Sequence, residues 1–208
     1  MRIRELFEDQ QENEKHVTFC FGRMNPPTIG HKQVFKTMKS QGGDFYIFVS
    51  QTQDPKKNPL SYDDKVDFIR KIHKPYANNV VEDPNLNTVF KVATSLYDKG
   101  YTHATFVGGD DRKGLYEQLK KYNGLEGPHG YYKFETLEFE SSGSREDDAP
   151  GLAGISATKA REAAAKGDLK EFIKTTGAGD VSEELYAAVR QGMGIQKEQV
   201  EENVLSVA

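Results

Sequence analysis

The chain has a single cysteine, Cys20, in 208 residues, which excludes an intrachain disulfide framework. Its place inside the apolar run Phe19-Cys20-Phe21 points to a buried thiol rather than a reactive one. No apolar run approaches the length that crosses a bilayer. The opening Met1-Arg2-Ile3-Arg4-Glu5-Leu6-Phe7-Glu8 is too charged for a secretory signal, so a reducing cytoplasmic location is expected. No internal repeat is found. An excess of basic charge is also missing: 28 Lys and Arg stand against 32 Asp and Glu, a formal net charge of -4. That balance excludes a general nucleic-acid coat and leaves room for a locally basic cleft with a small anionic substrate. The glycine spacings of the dinucleotide and P-loop fingerprints are absent as well, and no compact acid cluster suggests an all-protein magnesium cage.

What is present is a regular alternation of elements. The apolar run Val17 to Phe21 reads as a buried strand and Lys32 to Ser40 as a helix with Val34, Phe35 and Met38 on its apolar face. Phe45 to Ser50 is a second strand, rich in aromatic and β-branched residues. Ser61 followed by Asp63 and Asp64 marks a helix start, and Asn79 to Val81 reads as a short third strand. A helix over Thr88 to Asp98 precedes a strand at Ala104 to Val107, then a helix over Leu115 to Tyr122 and a strand over Tyr132 to Phe139. The polar, acidic stretch Ser141 to Pro150 is expected to be a mobile loop able to close over a site. Helices follow from Ser156 to Lys166, Leu169 to Thr175, Glu183 to Gln191 and Gln196 to Leu205.

Strands alternating with helices imply an α/β fold: a Rossmann-like parallel sheet covered on both faces, with a helical C-terminal extension. The expected division is a 1–15 extension, a 16–175 domain and a 176–208 helical extension. Ligands of such folds sit beyond the carboxyl ends of the strands, where Gly22, Ser50 and Gly108 fall.

Two separated stretches look like halves of one phosphate-handling site. Gly22-Arg23-Met24-Asn25-Pro26-Pro27-Thr28-Ile29-Gly30-His31 follows the first strand, and Ile155-Ser156-Ala157-Thr158-Lys159-Ala160-Arg161 opens a late helix. Helix starts offer backbone N–H groups to anions. With Gly108-Gly109-Asp110-Asp111 after a middle strand, the chain resembles the HxGH nucleotidyltransferase superfamily over roughly residues 16 to 170. It looks most like the branch that adenylylates nicotinamide mononucleotide. The resemblance implies transfer of an adenylyl group from ATP to a phosphate-bearing acceptor, with pyrophosphate released and magnesium carried largely by the nucleotide and water.

It further implies a catalytic set of His31, Arg161 and Thr28. Thr28 stands where the family pattern has its first histidine and supplies a hydroxyl in place of an imidazolium. The implied nucleotide contacts are Gly22, Arg23, Met24, Gly30, Gly108, Asp110, Ile155, Ser156, Thr158 and Lys159, with Lys56 and Lys57 meeting the acceptor. Each has a plainer reading. Gly22 can be a strand-ending turn, His31 a structural hydrogen bonder, Arg23 a salt-bridge partner, Ser156 a helix cap and Lys159 a solvated helix residue. Two other functions stay open: CTP-dependent cytidylyl transfer to a sugar or polyol phosphate, and a silent nucleotidyltransferase-like structural subunit. The terminal segments resemble ones in tailed-bacteriophage proteins. For them a structural partner or a second copy of the chain is the expected contact, in a host cytoplasm or on a virion.

Overall fold

A computed structural model describes residues 14–143 and 156–195. Four strands, β1 (His16–Gly22), β2 (Asp44–Val49), β3 (His103–Gly108) and β4 (Thr136–Ser141), form one sheet in the order β2-β1-β3-β4. Every pairing is parallel, with Phe19 opposite both Tyr46 and Phe106, and Phe106 opposite Phe139. Parallel neighbours need crossover connections, and the helices supply them. α1 (Ile29–Ser40) joins β1 to β2, α2 (Tyr62–Ile72) and α3 (Val89–Asp98) lead to β3, and α4 (Lys113–Tyr122) leads to β4. From β1 the chain moves first to one side and then to the other, so the strand order reverses between β1 and β3. Their carboxyl ends flank the crevice at which open α/β sheets take ligands.

Alternate strand residues feed opposite faces. Val17, Phe19 and Phe106 pack with Val92, Leu96 and Leu119 from α3 and α4. Cys20, Ile47 and Val107 pack with Phe35, Met38 and Ile69 from α1 and α2. A third core joins Leu60 and Phe68 to α5 (Ala157–Lys166), α6 (Leu169–Thr176) and α7 (Ser182–Gly192), through Ala160, Ala163, Phe172, Leu185 and Val189. Those C-terminal helices therefore share a core with α2.

Two expected strands come out differently. Residues 79–81 form only a single bridge, Val80 to Ile47. The preceding Lys74–Asn79 winds into a 3-10 helix, and the Asn79 amide donates to the Phe45 carbonyl, so little chain is left to pair. The last strand starts at Thr136 rather than Tyr132. Asn123 donates to the Phe134 carbonyl and accepts its N–H, while the Tyr132 hydroxyl donates to the Leu119 carbonyl. That stretch is held by the end of α4 instead of by β3. Ser141 ends β4, so the polar stretch loses its first residue to the sheet. Residues 144–150 of that loop, Ile155, the segment before residue 14 and the helix expected over 196–205 lie outside the described residues.

Candidate functional site

β1 delivers Gly22 to the carboxyl edge of the sheet, and the chain then turns sharply. Met24 is buried in the left-handed region at φ 46°, an uncommon setting for a residue with a side chain. Asn25 pins this turn from inside: its Nδ2 donates to the Leu60 carbonyl and its Oδ1 accepts the Leu60 N–H, both at 3.0 Å. The Asn25 carbonyl in turn accepts Arg161 Nη1 at 2.7 Å. The second stretch is thus bound to the first through a backbone atom 136 residues away in the sequence. Arg161 Nη2 also donates to Thr158 Oγ1 at 3.0 Å, which fixes the guanidinium plane.

His31 lies on the first turn of α1, and its environment sets its tautomer. The Thr28 backbone N–H lies 2.9 Å from Nδ1 and must donate to it. Nδ1 is therefore the unprotonated nitrogen of the neutral ring and the proton sits on Nε2; His31 is one of the residues that line the cavity. The Thr28 hydroxyl, 3.0 Å from the same Nδ1, is spent there too. Thr28, at 1 % exposure, is buried beside the ring and is not among the residues that line the cavity. On the far side Ser156 caps α5 by accepting the Lys159 N–H at 3.2 Å, and it presents that helix start to the same cavity.

The cleft so formed has a cavity volume of about 100 Å³ and opens to solvent. Gly22, Arg23, Met24, His31, Gly108, Ser156, Thr158 and Arg161 line it as expected, and so does Lys57. Lys56 lines the adjoining hollow with Arg23, Lys57 and Arg161. Four expected contacts stand outside the wall: Thr28, Gly30, Lys159 and Asp110. Asp110 is exposed and accepts from the Ser141 hydroxyl at 2.5 Å, tying β4 to the turn after β3.

The sequence reading missed Arg112 and Asn25, both of which line the cleft. Arg112 reaches it because Gly108 has no side chain: a Cβ there would come within 2.9 Å of Arg112 Cβ and Cγ. The signal available was a basic residue closing the Gly108 to Asp111 turn.

The lining is basic, with Asp111 pairing Arg112 at 3.5 Å from outside the wall. Arg23, Lys57, Arg112 and Arg161 face the cleft, and none of the described lining residues is an acid. Burial, and then the nearby Arg23, push the Arg161 guanidinium below its ordinary value. An anion placed between them offsets both effects. Cys20, at 3 % exposure, lies on the cleft floor, with its thiol pushed up to about 12 by burial, as befits an unreactive packing residue. The donor set does not fit a magnesium ion held by protein carboxylates. Among the described residues, one group of metal-capable side chains stands together, Glu14, His16 and His103. It lies at the amino ends of β1 and β3, the edge of the sheet opposite the cleft. No helix among the described residues is long and apolar enough to cross a membrane.

The family model described as cytidylyltransferase-like matches residues 19–127, a span that holds the first stretch, the Gly108 turn and both lysines. The crystal structure of a candidate nicotinate-nucleotide adenylyltransferase from Vibrio parahaemolyticus superposes with a TM-score of 0.50 at 21 % identity, covering 82 % of this chain and 98 % of that one. Its fold is therefore the same parallel sheet with flanking helices. No curated protein is similar enough in sequence to count as a match.

Proposed function

The chain belongs to the cytidylyltransferase-like superfamily of nucleotidyltransferases, and from that membership we propose that it adenylylates nicotinamide mononucleotide with ATP, releasing pyrophosphate. The observation that carries this reading is a cleft walled by Arg23, Lys57, Arg112, Arg161 and His31, with no described acid among its lining residues. A triphosphate and an acceptor phosphate bring the negative charge that such a wall lacks. The Vibrio protein is named for adenylyl transfer to a nicotinate nucleotide, which supports adenylyl transfer to a related acceptor here.

In this reading an acceptor phosphate oxygen attacks the α-phosphorus. As the new P–O bond forms, the bond to the β-phosphate oxygen breaks and its electron pair leaves with pyrophosphate. The nucleophile is already anionic, so no side chain needs to remove a proton. His31 donates from Nε2 to a non-bridging α-phosphate oxygen, where charge builds in the transition state. Arg161, with the Ser156 hydroxyl and the start of α5, holds the β- and γ-phosphates. Lys57 and Lys56 meet the acceptor, and Arg23 bridges the two groups from between the hollows. Thr28 keeps His31 in the donating tautomer. Magnesium accompanies the nucleotide, and no step is assigned to it.

Purified protein given magnesium, ATP and nicotinamide mononucleotide should release pyrophosphate and form the dinucleotide. His31→Asn tests the mechanism, because its Oδ1 can still accept the Thr28 N–H while the Nε2 donor is lost. The expected outcome is a fall in kcat of about 10²–10³-fold with the melting temperature preserved. The family description favours one second reading, cytidylyl transfer from CTP to a sugar or polyol phosphate. Pyrophosphate release with that pair and none with ATP and nicotinamide mononucleotide would replace the first reading with the second.

A further inference from the structure

We propose that Glu14, His16 and His103 form a binding site for a divalent transition-metal ion, zinc being the class they suit, at the sheet edge opposite the cleft. One ligand atom from each residue lies within 4.8 Å of the other two. Tetrahedral zinc with bonds of about 2.0–2.1 Å sets its ligand atoms roughly 3.4 Å apart, so modest side-chain rotation closes the set.

The placement follows from the fold. His16 and His103 are register partners on adjacent parallel strands, so their side chains leave the same face of the sheet. Their rings lie 4.3 Å apart at a tilt of 32°. Cross-strand histidines can pack this way simply as an aromatic pair. Two further features exceed that reading. Glu14, two residues before His16, brings a carboxylate to the same spot. The Thr102 hydroxyl lies 2.9 Å from His103 Nδ1 and orients the ring; with Nδ1–H donating there, Nε2 is the nitrogen that ligates. Ligand imidazoles are usually held in this manner by an outer partner on the other nitrogen. Thr102 is itself positioned, because its Oγ1 accepts the Lys15 N–H at 3.2 Å.

The carriers are rigid. The Lys15 carbonyl accepts both the Thr102 and His103 N–H groups, at 3.0 and 3.1 Å, stitching the start of β1 to the start of β3. Two imidazoles and a carboxylate match the three-ligand sets that hold zinc, with water in the fourth position. Glu14 and His16 are exposed, so solvent reaches that position. A bound ion cross-links two central strands about 20 Å from the cleft, the length of β1. It therefore acts on stability and not on transfer chemistry.

Untagged full-length protein, stripped with a chelator, should take up one equivalent of zinc by calorimetry and melt at a higher temperature with zinc than without. Cobalt in its place should give the strong visible bands of a low-coordinate nitrogen and oxygen site. His16→Asn, at an exposed position, and His103→Asn should each abolish uptake. Thr102→Val should weaken it by about 10–100-fold, and Glu14→Gln should weaken it as well. Nucleotidyl transfer by zinc-free His16→Asn should equal that of the zinc-free parent, so failure here is separable from failure of the proposed activity. No uptake by the parent overturns the proposal. So does undiminished uptake by folded His16→Asn and His103→Asn, which would place the metal elsewhere.

Discussion

His73, at 3 % exposure, sits edge-on to Phe35 at 5.1 Å, and its Nε2 has no hydrogen-bond partner among the described residues. Burial, and then the Lys32 charge on α1, lower it to about 4. Because the unfolded chain takes up this proton at higher pH than the folded chain does, the folded state is penalised as pH falls from about 6.5 to about 4. At roughly 1.4 kcal/mol per pH unit the loss from this one group is about 3 kcal/mol over that window. Urea denaturation at pH 4 to 7 should show a steeper loss in the parent than in His73→Gln. Parallel curves would acquit His73. Residues of this kind were hidden in the sequence, where a histidine following an amphipathic helix gives no hint of burial. His31 and Arg161 were legible because two ordered motifs mark them. Thr28 was legible as a member of its motif, but its task was not, since only the geometry shows both its N–H and its hydroxyl turned to His31 Nδ1.

Helix starts were the most readable elements, because capping is local chemistry. Ser61, Thr88, Ser156 and Asp168 each accept a backbone N–H from the first turn that follows. The interior of α2 misleads by the same logic, since a lysine at Lys65 reads as a solvated face. Instead Lys65 is wholly buried, and its ammonium donates to the carbonyls of Ser50 and Thr52. Burial lowers it to about 8. This cation holds the loop that leaves β2, whose Ser50 N–H is anchored to the Gly22 carbonyl at 2.8 Å, and the same loop carries Lys56 and Lys57 to the cleft. Lys65→Met keeps the aliphatic stem and leaves two carbonyls without their donor, which should cost about 1–3 kcal/mol. It should also raise KM more than it lowers kcat. A melting temperature that drops while KM stays put would show that the loop holds its place without Lys65.

At the scale of the whole molecule, the C-terminal helices are built into the body. Gly192, at the end of α7, lies so close to the Pro59 backbone that a Cβ there would overlap the Pro59 carbonyl. Alanine is favoured over glycine in a helix by about 1 kcal/mol, yet Gly192→Ala should destabilise by about 1–3 kcal/mol through overpacking. Denaturant midpoints of the two proteins test the sign, and a stabilised variant would mean that α7 can slide away from Pro59 at no cost. Legible in the chain alone were the four sheet strands with their helices, the parallel pairing, the basic motifs and the edge at which they meet, but not that residues 79–81 form only one bridge. Hydrophobic period, caps and crossover length are properties of short neighbouring stretches, so one chain displays them. Long-range packing, by contrast, set Arg112 in the cleft wall and Asp110 outside it, hung Arg161 from the Asn25 carbonyl, and gave α5 to α7 a core in common with α2. Each of these depends on a side chain's direction or on contact between groups remote in sequence, and neither is set by the residues alongside.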